Sequence, residues 1–189
     1  MRVAREKFPL HWPTHRHPPE FWEQLGRTIA AFSFLEETLK KAILAVAATA
    51  DYGEGEMREL AKWPDQHRRA LTDTLCPLAD VYSKVILAHQ AADFKDVGVL
   101  VDDIKKVADL RNVLCHGSWR APGADTKSTL QYFTTGGGKF DEAIDIAWLR
   151  ELQGRVVNMT CRVIDSVTVL GCEFPEGAGP GEEIWSKDQ

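Results

Sequence analysis

The chain has 189 residues, 44% hydrophobic and 27% charged, enough for one domain with a proper core. A formal net charge of −5 excludes a global basic field, so any nucleic acid would have to meet a local patch. No run approaches the roughly 18 consecutive apolar residues of a membrane span, and the first residues have no signal-peptide core. A cytoplasmic protein with no membrane partner is therefore expected.

Residues 1–18 are rich in Pro and His (HWPTHRHPP) and predict an extended arm, since repeated prolines fix φ and remove backbone donors. His11, His15 and His17 are metal-ligating types, but no carboxylate or cysteine completes a ligand set. A solvated arm that packs on a neighbour through Trp12 is the simpler reading. The four cysteines, Cys76, Cys115, Cys161 and Cys172, have no CxxC spacing and read as reduced thiols, so neither metal nor cofactor is expected.

The first helix should start near Pro19 and run to about Ala50, with Phe21, Leu25, Ile29, Phe32, Leu35, Leu39, Ile43 and Val46 as its buried stripe. Glu36 falls inside that stripe, whereas Glu37 points away. A carboxylate facing a core needs a partner, an arginine or histidine by preference; the alternative is a solvated edge of the bundle. After a glycine-containing turn at Asp51 to Glu56, a second helical region spans about Met57 to Gln90. A break is expected at Trp63-Pro64 and a kink at Cys76-Pro77. Arg68 and Arg69 make a small basic spot there.

The third helix should run from about Phe94 to Cys115 or His116. Val97, Leu100, Ile104, Val107, Arg111 and Leu114 keep the three-and-four spacing, which puts Arg111 at a core position. Gly117 suits the left-handed residue that ends a helix, placing His116 in the last turn. Ser128 to Phe133 and Lys139 to Ile144 flank TTGGG and predict a hairpin over about 128–144. GGGK is not a phosphate loop, because Phe133 stands where its first glycine belongs and Phe140 where a Ser or Thr should follow. A last helix should cover about Ile146 to Leu170, with Leu149, Leu152, Val156, Met159, Val163, Val167 and Leu170 as its stripe. Residues 172–189 form an acidic tail rich in Gly and Pro. The expected architecture is an all-α helical bundle over 19–171 with a small β-hairpin inserted before the last helix.

Arg111, Asn112 and His116 form the best candidate for chemistry. Asn112 and His116 share a helix face at i and i+4, while Arg111 sits on the buried stripe and Glu36 needs a partner. Arg111 and His116 lie more than a third of a turn apart on a regular helix. They converge only through the length of Arg111, a distorted last turn or a second subunit. A Cys115–His116 nucleophile is disfavoured, since adjacent helical residues point about 100° apart and Cys115 falls on the apolar side. Trp119, Tyr132 and Phe133 suit base stacking, though such aromatics more often complete a core or a dimer interface.

The string Arg111-Asn112-Val113-Leu114-Cys115-His116-Gly117 resembles the RNxxxH signature of HEPN domains, and the helix around Glu36 (FSFLEETLKKAI) resembles their first long helix. The resemblance covers about residues 20 to 170, with a diagnostic part of six residues. It implies a HEPN-like bundle, a homodimer with facing motifs, and a metal-independent endoribonuclease of toxin–antitoxin or phage-defence type with an antitoxin protein as partner. On that reading Arg111 holds the phosphate and stabilises its growing charge, and His116 moves the proton. Asn112 orients the imidazole or donates to the phosphate, Glu36 fixes Arg111, and Trp119, Arg120 and Lys105 contact the RNA. Attack by the 2′-hydroxyl would leave a 2′,3′-cyclic phosphate and a 5′-hydroxyl, and DNA would survive. Two other readings remain open: Arg111 pairs with Glu36 only to hold the bundle while His116 caps a helix, or the chain is a non-catalytic HEPN-like dimeric module that binds a protein or nucleotide.

Overall fold

The computed structural model describes residues 4–49, 74–89, 96–133 and 138–175, and among these four α-helices carry most of the backbone. They are α1 (Pro19–Thr49), α2 (Leu75–Ala88), α3 (Val97–His116) and α4 (Ile146–Val169), with a three-stranded antiparallel sheet between α3 and α4. None of the helices among the described residues is long and apolar enough to cross a membrane.

Each helix forms where its apolar spacing matches 3.6 residues per turn. In α4 all the expected stripe residues from Leu149 to Val167 are buried, and Leu170 just beyond it is buried too. Burying each such side chain contributes about 1.5–3 kcal/mol. Asp145 caps the start of α4, its Oδ1 accepting the Trp148 amide at 2.8 Å. At the other end Gly171 adopts φ 73°, the Gly171 amide donates to Thr168 O at 2.9 Å, and the Cys172 amide donates to Val167 O at 3.1 Å. This is a Schellman motif, in which a left-handed glycine lets the chain satisfy its own last carbonyls.

The strands are β1 (Ser118–Trp119), β2 (Ser128–Gln131) and β3 (Ala143–Ile144), in the order β1-β2-β3. β1 pairs Ser118 with Gln131 and Trp119 with Leu130; β2 pairs Ser128 with Ile144 and Thr129 with Ala143. An isolated bridge from Phe133 to Lys139 continues the second register, so the expected hairpin is present on both flanks of its turn. Side chains alternate by strand period, with Ser128, Leu130 and Ile144 inward and Thr129, Gln131 and Phe133 outward.

The chain divides into two compact units, one formed by Met1–Ala30 with Arg111–Gln153 and the other by Ala31–Leu110 with Gly154–Gln189. The first holds the sheet and a core that includes Phe21, Val113, Leu114, Leu130, Ile144, Leu149 and Leu152. The described residues of the second are mostly helical, with Phe32, Leu35, Leu39, Leu78, Tyr82, Ile86, Leu100, Ile104 and Val163 buried. There the Tyr82 hydroxyl lies 2.6 Å from Ser166 Oγ, which itself donates to Val163 O at 2.7 Å, so the phenol is the donor of the pair. Burial pushes the Tyr82 phenol up to about 12.

Several expectations are corrected. Residues 10–16 form consecutive turns rather than an extended arm, held by Trp12 N–Pro9 O, Thr14 N–His11 O and His17 N–Thr14 O hydrogen bonds. Trp12 remains half exposed and stacks on Phe8 with centroids 4.4 Å apart, while His17 is the buried anchor. Pro77 makes no mid-helix kink, because α2 begins at Leu75 and a first-turn proline forfeits no helical hydrogen bond. Cys115 is exposed, as the buried face of the last turn of α3 passes through Val113 and Leu114. Gly117 is not left-handed: the described positive-φ glycine is Gly171. The expected break at Trp63-Pro64, the turn at Asp51 to Glu56, Arg68, Arg69 and residues 176–189 of the tail lie outside the described residues.

Candidate functional site

The end of α3 carries the Arg-Asn-His cluster. Arg111 is half-buried, less than its stripe position predicts, and its Nη1 approaches Asn112 Oδ1 at 3.4 Å. A long side chain of this kind can lay its stem on apolar surface while its charged head turns to a polar group. Asn112 is half-buried and His116, the last residue of the helix, is exposed. The unpaired carbonyls of a helix end favour a cation there. His116 therefore presents an imidazole to solvent at an electronegative terminus, one turn beyond Asn112.

Gly117 joins this helix end to the sheet, and its lack of a side chain is a packing requirement. A Cβ at this position would meet Leu130 Cδ2 at 2.4 Å and Val113 O at 2.6 Å. Those distances are far inside van der Waals contact, and the carbonyl is backbone that cannot swing away. The Gly117 amide donates to Val113 O at 2.8 Å, so the helix hands over directly to β1 with β2 pressed against the junction.

Behind β1 lies an aromatic cluster. His17 stacks on Phe21 with centroids 4.6 Å apart, and Trp119 meets Phe21 edge-on at 5.0 Å. Trp22 meets both His17 and Trp119 edge-on and anchors through Nε1 to Thr14 O at 2.9 Å. His17 is 8% exposed, and its Nε2 lies 2.7 Å from Ser128 Oγ on β2. Its Nδ1 is buried and makes no hydrogen bond of ordinary geometry among the described residues. Burial holds the His17 pKa below its usual 6.5, with a weaker opposing pull from the Arg120 backbone.

Of the expected RNA-contacting residues, Trp119 is half-buried in this cluster, which takes up its ring. Arg120 follows β1, is exposed, pairs its amide with Thr129 O at 3.0 Å and donates from its guanidinium to Gln131 Oε1. Lys105 belongs to the second unit, where its ammonium sits 2.5 Å from Asp80 Oδ1; that hydrogen bond holds its pKa above the ordinary value. Glu36 is half-buried on the part of α1 that belongs to the second unit. Arg111, Asn112, His116, Trp119 and Arg120 are thus the candidates gathered in one unit.

Sequence reasoning missed β1, the His17–Ser128 bond and the outward face of the sheet. A two-residue strand has no periodicity to detect, and His17 meets a partner 111 positions away. The alternation in STLQYF was the available clue to the outward face. Comparison of the chain with protein-family models, with curated proteins and with solved structures gives no match.

Proposed function

We propose that this chain is a HEPN-like, metal-independent endoribonuclease, working as a homodimer in a toxin–antitoxin or phage-defence setting with an antitoxin protein as its partner. The observation that carries the reading is the end of α3: an exposed His116 at the carbonyl terminus, one turn past a half-buried Asn112 that accepts from Arg111. An imidazole open to solvent can take a proton from a 2′-hydroxyl or return one to the leaving 5′-oxygen. In this reading the Arg111 guanidinium neutralises charge growing on the phosphate. On a regular helix five residues rotate the chain by about 140° from Arg111 to His116, so a facing second copy completes the site in this reading. Arg120, exposed two strand positions after Ser118, extends the cationic surface toward the substrate.

The test is incubation of the dimeric, antitoxin-free protein with mixed RNA in EDTA, beside Arg111→Ala and His116→Ala. Cleavage to a cyclic phosphate, lost in both variants, supports the enzyme. RNA left intact by the wild type sinks it and favours a non-catalytic dimeric module that binds a protein or nucleotide.

A further inference from the structure

The outward face of the sheet carries chemistry that the cluster on α3 does not use. Strand alternation and the two registers place Ser118 and Arg120 on one flank, Thr129, Gln131 and Phe133 in the middle, and Lys139, Asp141 and Ala143 on the other. All of these residues are exposed. Phe133 stands out, since a phenyl ring that is 62% exposed forfeits burial worth about 1.5–3 kcal/mol. Beside it an open groove of about 350 Å³ is lined by Arg120, Gln131, Phe133, Lys139, Phe140 and Asp141, among others. Two cations against one carboxylate make this a locally positive strip on a chain of net charge −5. The strip begins at Ser118, two residues after His116.

We propose that this face is a platform for single-stranded RNA, with a base stacked on Phe133 and the backbone phosphates running between Lys139 and Arg120. The inference rests on the ribonuclease reading of the α3 terminus, whose substrate it would guide. An exposed aromatic reads a base only when that base is unstacked, so a single strand fits and a duplex does not. Along β2, Thr129 to Phe133 spans about 13 Å, room for a short run of nucleotides between Arg120, opposite Thr129, and Lys139, opposite Phe133. Gln131 holds the Arg120 guanidinium over this face through its Oε1. Asp141 opposes phosphate binding, which gives the proposal a sign that a merely sticky surface would not share. Trp119, on β1, is taken up by Phe21 and Trp22.

The test uses the full chain and a fluorescein-labelled, 2′-O-methyl oligoribonucleotide of mixed sequence, which lacks the attacking hydroxyl and so reports binding without cleavage. Fluorescence anisotropy should give a Kd that rises about tenfold in Phe133→Ala. It should rise several-fold in Lys139→Gln, with a salt slope shallower by about 0.7, and fall in Asp141→Asn. A duplex of the same sequence should bind more weakly. Thermal melts confirm folding of variants at these exposed sites. Binding unchanged in all three variants, a duplex bound as tightly as the single strand, or a wild type that ignores the oligonucleotide each overturns the platform. The predicted pattern in a protein that leaves ordinary RNA intact keeps the platform and removes the ribonuclease; cleavage of ordinary RNA with unchanged variant affinities does the reverse.

Discussion

The ends of α3 and α4 both pass into a glycine, yet the two glycines are there for different reasons. At Gly171 the constraint is the dihedral angle: φ is 73°, and a Cβ would meet nothing within 4 Å. At Gly117 the constraint is space: the backbone is not left-handed, but a Cβ would strike Leu130 and the Val113 carbonyl. The α4 terminus is satisfied by its own backbone, whereas the α3 terminus is held by a strand from further along the chain. A helix end finished from outside ties the candidate catalytic histidine to the sheet, and the same glycine signal in sequence conceals that difference.

The largest expected effect comes from filling the Gly117 space. Gly117→Ala should destabilise by about 3 kcal/mol, or roughly 10 °C in Tm, because neither the Val113 carbonyl nor β2 can yield without moving the junction. Urea titration and thermal unfolding measure this directly. Adding Leu130→Ala removes the contact with Cδ2 but leaves the Val113 carbonyl at 2.6 Å. The double variant should therefore recover only about 1 kcal/mol relative to the sum of the single ones. Strict additivity would mean that β2 does not press on the helix end.

That distinction marks the limit of what the sequence made legible. The stripes of α1 and α4 were readable because periodicity is a local property: Phe32, Leu35, Leu39 and Ile43 are buried as spaced, as are Leu149, Leu152, Val156 and Val163. The hairpin was readable from β-prone runs around glycines, and its register follows from the alternation of Ser128, Thr129, Leu130 and Gln131. The role of Gly117 was not, because the atoms that demand a glycine include those of Leu130. Arg111 was placed on the core stripe by spacing, yet a long cationic side chain can leave a stripe without disturbing it, and it is only half-buried. Trp119 and Phe133 look interchangeable as aromatic residues; only the strand registers put one in the aromatic cluster and the other in solvent.

The comparison sharpens with a smaller perturbation at the other glycine. Gly171→Ala should cost about 1 kcal/mol, roughly 3 °C in Tm, since an L side chain is strained at φ 73° but meets open space. Gly171→Asn should cost less, because asparagine tolerates the left-handed region better than alanine. If alanine at 171 proved as damaging as alanine at 117, dihedral strain alone would explain both sites and the contrast would fail.

The smallest expected effect separates the two helix ends by pH. His17 is anchored to Ser128, two residues before the Leu130 that presses on Gly117, and burial holds its pKa below 6.5. Above about pH 6.5 the imidazole is neutral in both folded and unfolded chains, and its contribution to stability is complete. As pH falls below that value the unfolded chain takes up a proton that the folded one resists, so stability declines until the folded pKa is passed. His17→Gln removes this linkage, and its Tm should fall less than the wild-type value between about pH 7 and pH 5. Amide exchange gives the local form of the test. Relative to the intrinsic exchange rate at each pH, mild acid should lower protection at Gly117, whose hydrogen bond to Val113 depends on β2 staying in place, more than at Cys172, whose bond to Val167 lies in a cap closed by the backbone of its own helix. Parallel changes at the two amides would show that the sheet and the α3 terminus open independently, leaving His116 without the support from β2 that its position implies.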